Sequence, residues 1–166
     1  MPQTAHIRIV TQVQPSASGD FTSGGSANLL TDVFLSNGTG ANQSDRVAMD
    51  ARTLAASTSE DLDLQTMTTT PDGTALALVE LRSLTIKASA SNTDNLEIGP
   101  GASNGLTSLF ADASDRMKVA PGATVTIIAP KDASYPVSGT IKVLSVSNTS
   151  SSSSSSYTIL VIGTSA

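Results

Sequence analysis

The chain has 166 residues, no cysteine, and 14 acidic side chains against 9 basic ones, for a formal net charge of −5. One domain of that length buries roughly 70% of the surface its unfolded chain exposes and folds without staples. The acidic balance disfavours phosphate backbones and anionic lipid, so neither nucleic acid nor membrane is expected as a partner, and the lack of cysteine removes disulfide frameworks and thiol catalysis.

The opening MPQTAHIRIV has neither the basic n-region nor the apolar h-region of a signal peptide. Apolar runs throughout are far shorter than the roughly 20 residues needed to span a bilayer. A soluble protein released in the cytoplasm where it is made is therefore expected. Within AHIRIVTQVQ, Ile7, Ile9, Thr11 and Val13 share one face while His6, Arg8, Gln12 and Gln14 mostly take the other, the period of a half-buried strand. The Gly- and Ser-rich PSASGDFTSGGS that follows is a flexible connection. Residues 1–26 accordingly read as an N-terminal arm or edge strand, and residues 27–166 as the main domain.

ANLLTDVFLSNGTGANQSD predicts a strand through Leu30 to Leu35 and then a Gly and Asn loop. RVAMDARTLAASTSEDLDLQTM holds a short apolar piece, then Leu62 and Leu64 alternating with Asp61 and Asp63. In TPDGTALALVELRSLTIKASA a Pro-Asp-Gly turn precedes a run whose apolar phase slips twice. A bulge or a short non-strand piece near Arg82 would absorb the second slip.

Leu96 and Ile98 mark the next strand, and LTSLF is an apolar patch suited to a helical turn or a strand. DRMKVAPGATVTIIAP reads as a hairpin-like unit, with Pro121 and Gly122 at the centre of a type II turn. The last segment, IKVLSVSNTSSSSSSSYTILVIGTSA, sets seven serines, Ser150 to Ser156, between two apolar runs. Tyr157, Ile159 and Val161 alternate with Leu160 and Ile162, so both faces of that strand are apolar and it belongs inside a sheet. The serines are expected at the tip of a long solvated loop, since closure entropy grows only logarithmically with length. Short strands separated by turn chemistry argue for an all-β fold, an antiparallel β-sandwich or jelly roll.

Residues suited to catalysis are sparse. The single histidine, His6, has no partner near it in sequence, and no G-x-S-x-G elbow occurs. Asp61 and Asp63, with Glu60 adjacent, could hold a hard cation or form an acid and base pair, but a solvated face is the plainer reading. PDGT at 71–74 and DASD at 112–115 lack the spacing of an EF-hand loop and read as turns. IGPGASNG is Gly-rich without the lysine of a phosphate loop. Aromatic residues make up only 3% of the chain, too few to build stacking platforms for sugars or bases. No cofactor, metal site or enzymatic activity is expected.

NGTGANQSDRV, RTLAASTSEDLDL, LTIKASASNTDNLEIG, ASNGLTSLFADASDRMKVAPGATVTIIAP and the closing YTILVIG, in that order, resemble small structural proteins encoded in the virion modules of tailed bacteriophages. The resemblance runs from about Ala27 to Gly163. In similar proteins the place of the serine tract looks like a shorter turn rich in Gly, Ala and Thr, which makes the tract here an expanded hairpin loop. The resemblance implies a β-sandwich that binds the outside of the phage head as a capsid decoration or cement protein, with no catalytic residues to transfer.

The implied partners are the major capsid protein and further copies of the chain, as a homotrimer or another cyclic oligomer. The implied location is the capsid surface of the virion, assembled in the host cytoplasm. Ile7, Ile9 and Val13 of the first strand are the candidate interface residues, through strand addition. The alternative is a tail or head–tail junction component presenting recognition loops.

Overall fold

The computed structural model describes residues 3–13, 27–132 and 135–166. Among these the chain forms eleven strands: β1 (Ala5–Val13), β2 (Ala27–Asn37), β3 (Gln43–Ser44), β4 (Arg46–Leu54), β5 (Ser59–Asp63), β6 (Glu80–Ala88), β7 (Leu96–Pro100), β8 (Met117–Val119), β9 (Thr124–Ile128), β10 (Val143–Asn148) and β11 (Ser155–Thr164). The fold is all-β. Two four-stranded antiparallel sheets, ordered β4-β11-β6-β9 and β5-β10-β7-β8, enclose one core in a sandwich-like arrangement.

The pairing is nested: β4 with β11, β5 with β10, β6 with β9, and β7 with β8. Apart from the β7–β8 hairpin, each strand of this body crosses to the opposite sheet from its predecessor. Two local expectations change as a result. The chain from Asp115 to Pro130 is not a hairpin, because β8 pairs with β7 and β9 with β6. Its turn has the predicted chemistry: the Ala123 amide bonds the Ala120 carbonyl at 2.9 Å, and Gly122 takes a φ of 76°. That turn carries the chain between sheets rather than back along one.

The serine tract is likewise not a hairpin loop, since β10 and β11 lie in different sheets. Nor is it wholly solvated. Ser155 and Ser156 open β11, and Ser150 and Ser155 are buried. Asn148 organises the crossing from a buried position. Its amide N–H groups are shared among the carbonyls of Leu54, Ala55 and Ser153, while its Oδ1 accepts from the Ser150 amide at 3.0 Å and the Ser155 hydroxyl at 2.9 Å. A tract without apolar side chains is ordered here because its polar groups find fixed partners.

β11 is central, flanked by β4 and β6, as its two apolar faces require. Tyr157, Ile159 and Val161 point into the core against Leu84, Ile86 and Leu144. The slip near Arg82 is a β-bulge: Ile162 pairs with Ser83 but Gly163 with Leu81, so Arg82 is the extra residue. Gly163 lets the two strands close at that point, where a Cβ would run into the Glu80 carbonyl. The LTSLF patch forms neither helix nor strand but successive turns, with the Leu109 amide on Leu106 and the Phe110 amide on Thr107.

The first strand pairs within its own subunit. β1 runs antiparallel to β2 along its whole length, and β3 adds two residues in parallel to the end of β2. The ribbon therefore extends through Asn37 and includes a strand expected in the sandwich.

Asn148→Ala is expected to lower the free energy of unfolding by about 2–3 kcal/mol in urea titration, because several buried backbone groups lose their partner together. Ser152→Ala, at an exposed serine of the same tract, is expected to stay within about 0.5 kcal/mol of wild type.

Candidate interaction surface

Pairing in β1–β2 sorts the ribbon's side chains into two faces, because directly opposed residues point the same way. One face carries Ala5–Leu35, Ile7–Val33, Ile9–Thr31 and Thr11–Leu29. The other carries His6–Phe34, Arg8–Asp32, Val10–Leu30 and Gln12–Asn28. Of the eight exposed large apolar side chains among the described residues, five lie here: Ile9 at 39%, Val10 at 54%, Leu29 at 69%, Leu30 at 52% and Phe34 at 60%. Exposed apolar side chains gathered on one element mark a candidate interaction surface. Among the described residues β1 also has an unpaired outer edge, since the sheet order is β1-β2-β3.

Of the predicted interface residues, Ile7 is half-buried near the root of the ribbon and Ile9 is exposed farther out. Val13 ends β1, and its side chain lies outside the described residues. Sequence periodicity picked out Ile9 of this surface but not Val10, which alternates to the other face. It missed Leu29, Leu30 and Phe34, whose strand was expected in the body; the signal available was the run of apolar residues on both parities of ANLLTDVFL.

The root is mounted on a buried cation. The bulge places Arg82 with its side chain 0% exposed. Its guanidinium pairs with Glu80 at 3.1 Å and Asp132 at 2.6 Å, and donates to the carbonyls of Lys131, Gly40 and Thr39. Residues 38–42 follow β2 directly, so this one group joins the base of the ribbon to β6 and to the segment after β9. The Asn42 amide bonding the Pro130 carbonyl at 2.7 Å reinforces the joint, and Leu35 near the end of β2 is fully buried.

A second polar cluster bridges the two sheets. Arg52 pairs with Asp50 at 2.9 Å and with Glu60 at 2.6 Å, and the Tyr157 hydroxyl donates to Glu60 at 2.7 Å. Burial, reinforced by Glu60, pushes the Tyr157 phenol far above its ordinary value, so it stays a neutral donor. Arg52 and Tyr157 themselves help line a groove with Thr53, Lys87, Ser89 and Ser156, and no carboxylate lines it.

The candidate acidic sites serve their own backbone. Asp63 is held by Lys142 at 2.8 Å, and Asp61 is exposed. In PDGT the Gly73 amide bonds the Thr70 carbonyl at 3.0 Å, and Asp72 accepts from the Thr74 hydroxyl at 2.8 Å. In DASD, Asp112 accepts from the Ser114 amide and hydroxyl. His6 meets Asp32 at 2.5 Å across the ribbon and stacks edge-on against Phe34.

No family model matches the chain, and no curated protein matches it. Among solved structures it is similar to a de novo designed double-stranded β-helix determined by solution NMR, with 12% sequence identity and a TM-score of 0.38 over 68% of this chain and 96% of that one. A likeness that slight bears on neither function nor partners.

Arg82→Met is expected to lower stability by about 3–5 kcal/mol in urea titration, because it removes the buried cation that Glu80, Asp132 and the Gly40 and Thr39 carbonyls share. Asp132→Asn, at the exposed rim of the same cluster, is expected to cost much less. At Asp72 the Thr74 hydroxyl and amide, with the Thr70 hydroxyl, hold the carboxylate down from 3.8 to about 2. A depressed folded value contributes stability above the ordinary carboxylate range and loses it as pH falls through about 2. The carboxyl carbon should titrate by NMR with its midpoint near 2, and a midpoint at 3.8 would show that the turn does not hold it.

Proposed function

We propose that the protein is a structural, non-enzymatic component of a tailed-bacteriophage virion, a capsid decoration protein that binds the outer surface of the head as a cyclic homo-oligomer. We read the nested strand order as that of a jelly roll, an architecture that viral capsid domains also use. The observation that carries the proposal is a two-stranded ribbon, apolar toward its outer half, projecting from an acidic sandwich.

A two-stranded hairpin is marginal alone in water and gains stability when a partner covers it. The outer edge of β1, unpaired among the described residues and with Ile7 and Ile9 on one face, suits strand addition to the major capsid protein. The net charge of −5 keeps such a protein from competing for packaged DNA. Assembly in the host cytoplasm and residence on the capsid surface follow from the same reading. Many weak, symmetric contacts would then clamp the shell collectively.

Co-sedimentation with separately purified heads and tails tests this reading. Saturable binding to heads alone is expected, weakened about tenfold or more in an Ile9→Ser, Leu29→Ser double variant. Side-chain variants are preferable to deleting residues 1–26, which would strip β2 of its partner. Binding to tails would favour a tail or head–tail junction component, and binding to neither would overturn the proposal.

A further inference from the structure

The ribbon has two exposed apolar faces, and a partner on one side covers only one of them. Near its root the Ile7–Val33 face turns toward its own sandwich: Leu35 is buried, and Ile7, Thr31 and Val33 are half-buried. The opposite face is exposed along its described length, through His6, Arg8, Val10, Leu30, Asp32 and Phe34. We propose that this second face is covered by the same face of another copy of the chain, the two ribbons stacking about a two-fold axis that runs along the strands.

The charge pattern selects that occupant and that axis. A rotation about the strand direction leaves each residue at its own level but exchanges left and right, so β1 of one copy lies over β2 of the other. Residues paired within one ribbon then face each other's counterparts across the axis. Arg8 meets the partner copy's Asp32, Val10 meets Leu30, and His6 meets Phe34. Arg8 has no ion pair among the described residues, and Asp32 is 44% exposed despite its contact with His6, so both can be used again. A two-fold across the strands would lay β1 on β1, where no anion faces Arg8.

An isologous contact must be self-complementary in this sense, with each cation opposite an anion and apolar opposite apolar. Sheets stack about 10 Å apart, a gap that Arg, Leu and Phe side chains fill from both sides. Near the root each body lies toward the far face of its own ribbon, the side on which Ile7, Thr31 and Val33 are half-buried. The face is small by the standard of permanent dimers, so association is concentration-dependent. The inference rests on the self-association in the proposed function and not on the head contact.

Sedimentation equilibrium of the full chain over micromolar to millimolar concentration, with no phage component present, tests it. Wild type is expected to pass from monomer to dimer. Arg8→Asp and Asp32→Arg should each raise the dissociation constant at least tenfold, because like charges then face each other across the axis. Mixing these two variants should restore association to within a few-fold of wild type, since the reversed charges again face their opposites. Mixing cannot repair a contact within one chain, so recovery identifies the pairing as one between subunits.

Leu30→Ser should weaken association without changing charge, and Ile9→Ser, on the other face, should leave it unchanged. Circular dichroism checks that each variant is folded. A wild type that stays monomeric throughout, or a mixture no tighter than its components, overturns the proposal. A monomeric wild type would remove the homo-oligomer from the proposed function, head binding itself is read separately by co-sedimentation, and loss of head binding leaves this pairing standing.

Discussion

A buried guanidinium decides how the two parts of this molecule meet. Arg82 is sealed from solvent, and a charge in that position is tolerated only when carboxylates and carbonyls surround it. Those groups come from β6, from the segment after β9 and from residues 38–42, and no two of these are neighbours in sequence. Satisfying one side chain therefore ties the sandwich to the base of the ribbon. The bulge that admits Arg82 also requires Gly163 on the facing strand, so an irregularity in one sheet and the mounting of a separate element are the same event.

Sandwich and ribbon place their apolar surface differently. In the sandwich, strands cross between sheets, and leucine, isoleucine and valine side chains meet in one core with Tyr157. Among the described residues of the ribbon burial is greatest near the root, and the outer half shows apolar side chains on both faces. Such an exposure is costly in a soluble protein unless a partner shares it, which is why the surface, and not a cavity or an acid–base pair, stands as the functional candidate. The chemistry elsewhere is inward-looking: Arg52, Asp50, Glu60 and Tyr157 satisfy each other, and Asp72 and Asp112 stabilise their own turns.

Much of the local structure was legible in the chain itself. Alternation at period 2 located β1 and β11, the two apolar faces of β11 made it a central strand, and the phase slip near Arg82 announced the bulge. Each is a short-range consequence of side chains alternating across a pleated strand. Pro121 and Gly122 specified their turn because only glycine takes the required positive φ cheaply. β4 was legible only in part, since Asp50 and Arg52 interrupt its apolar pattern to form an ion pair that sequence periodicity does not register.

Composition and pattern by themselves determined an all-β, acidic, cysteine-free chain. Which strands pair was decided only in three dimensions. Adjacent strands such as β8 and β9, or β10 and β11, look like hairpins locally because a tight turn or a polar loop joins them, yet they part to opposite sheets so that both apolar faces of the chain can be buried at once. The same holds for the ribbon. Its strands were visible as strands, but the opposition of Arg8 to Asp32 and of Val10 to Leu30 exists only through the register of β1 on β2, which places residues 24 and 20 positions apart side by side on one face.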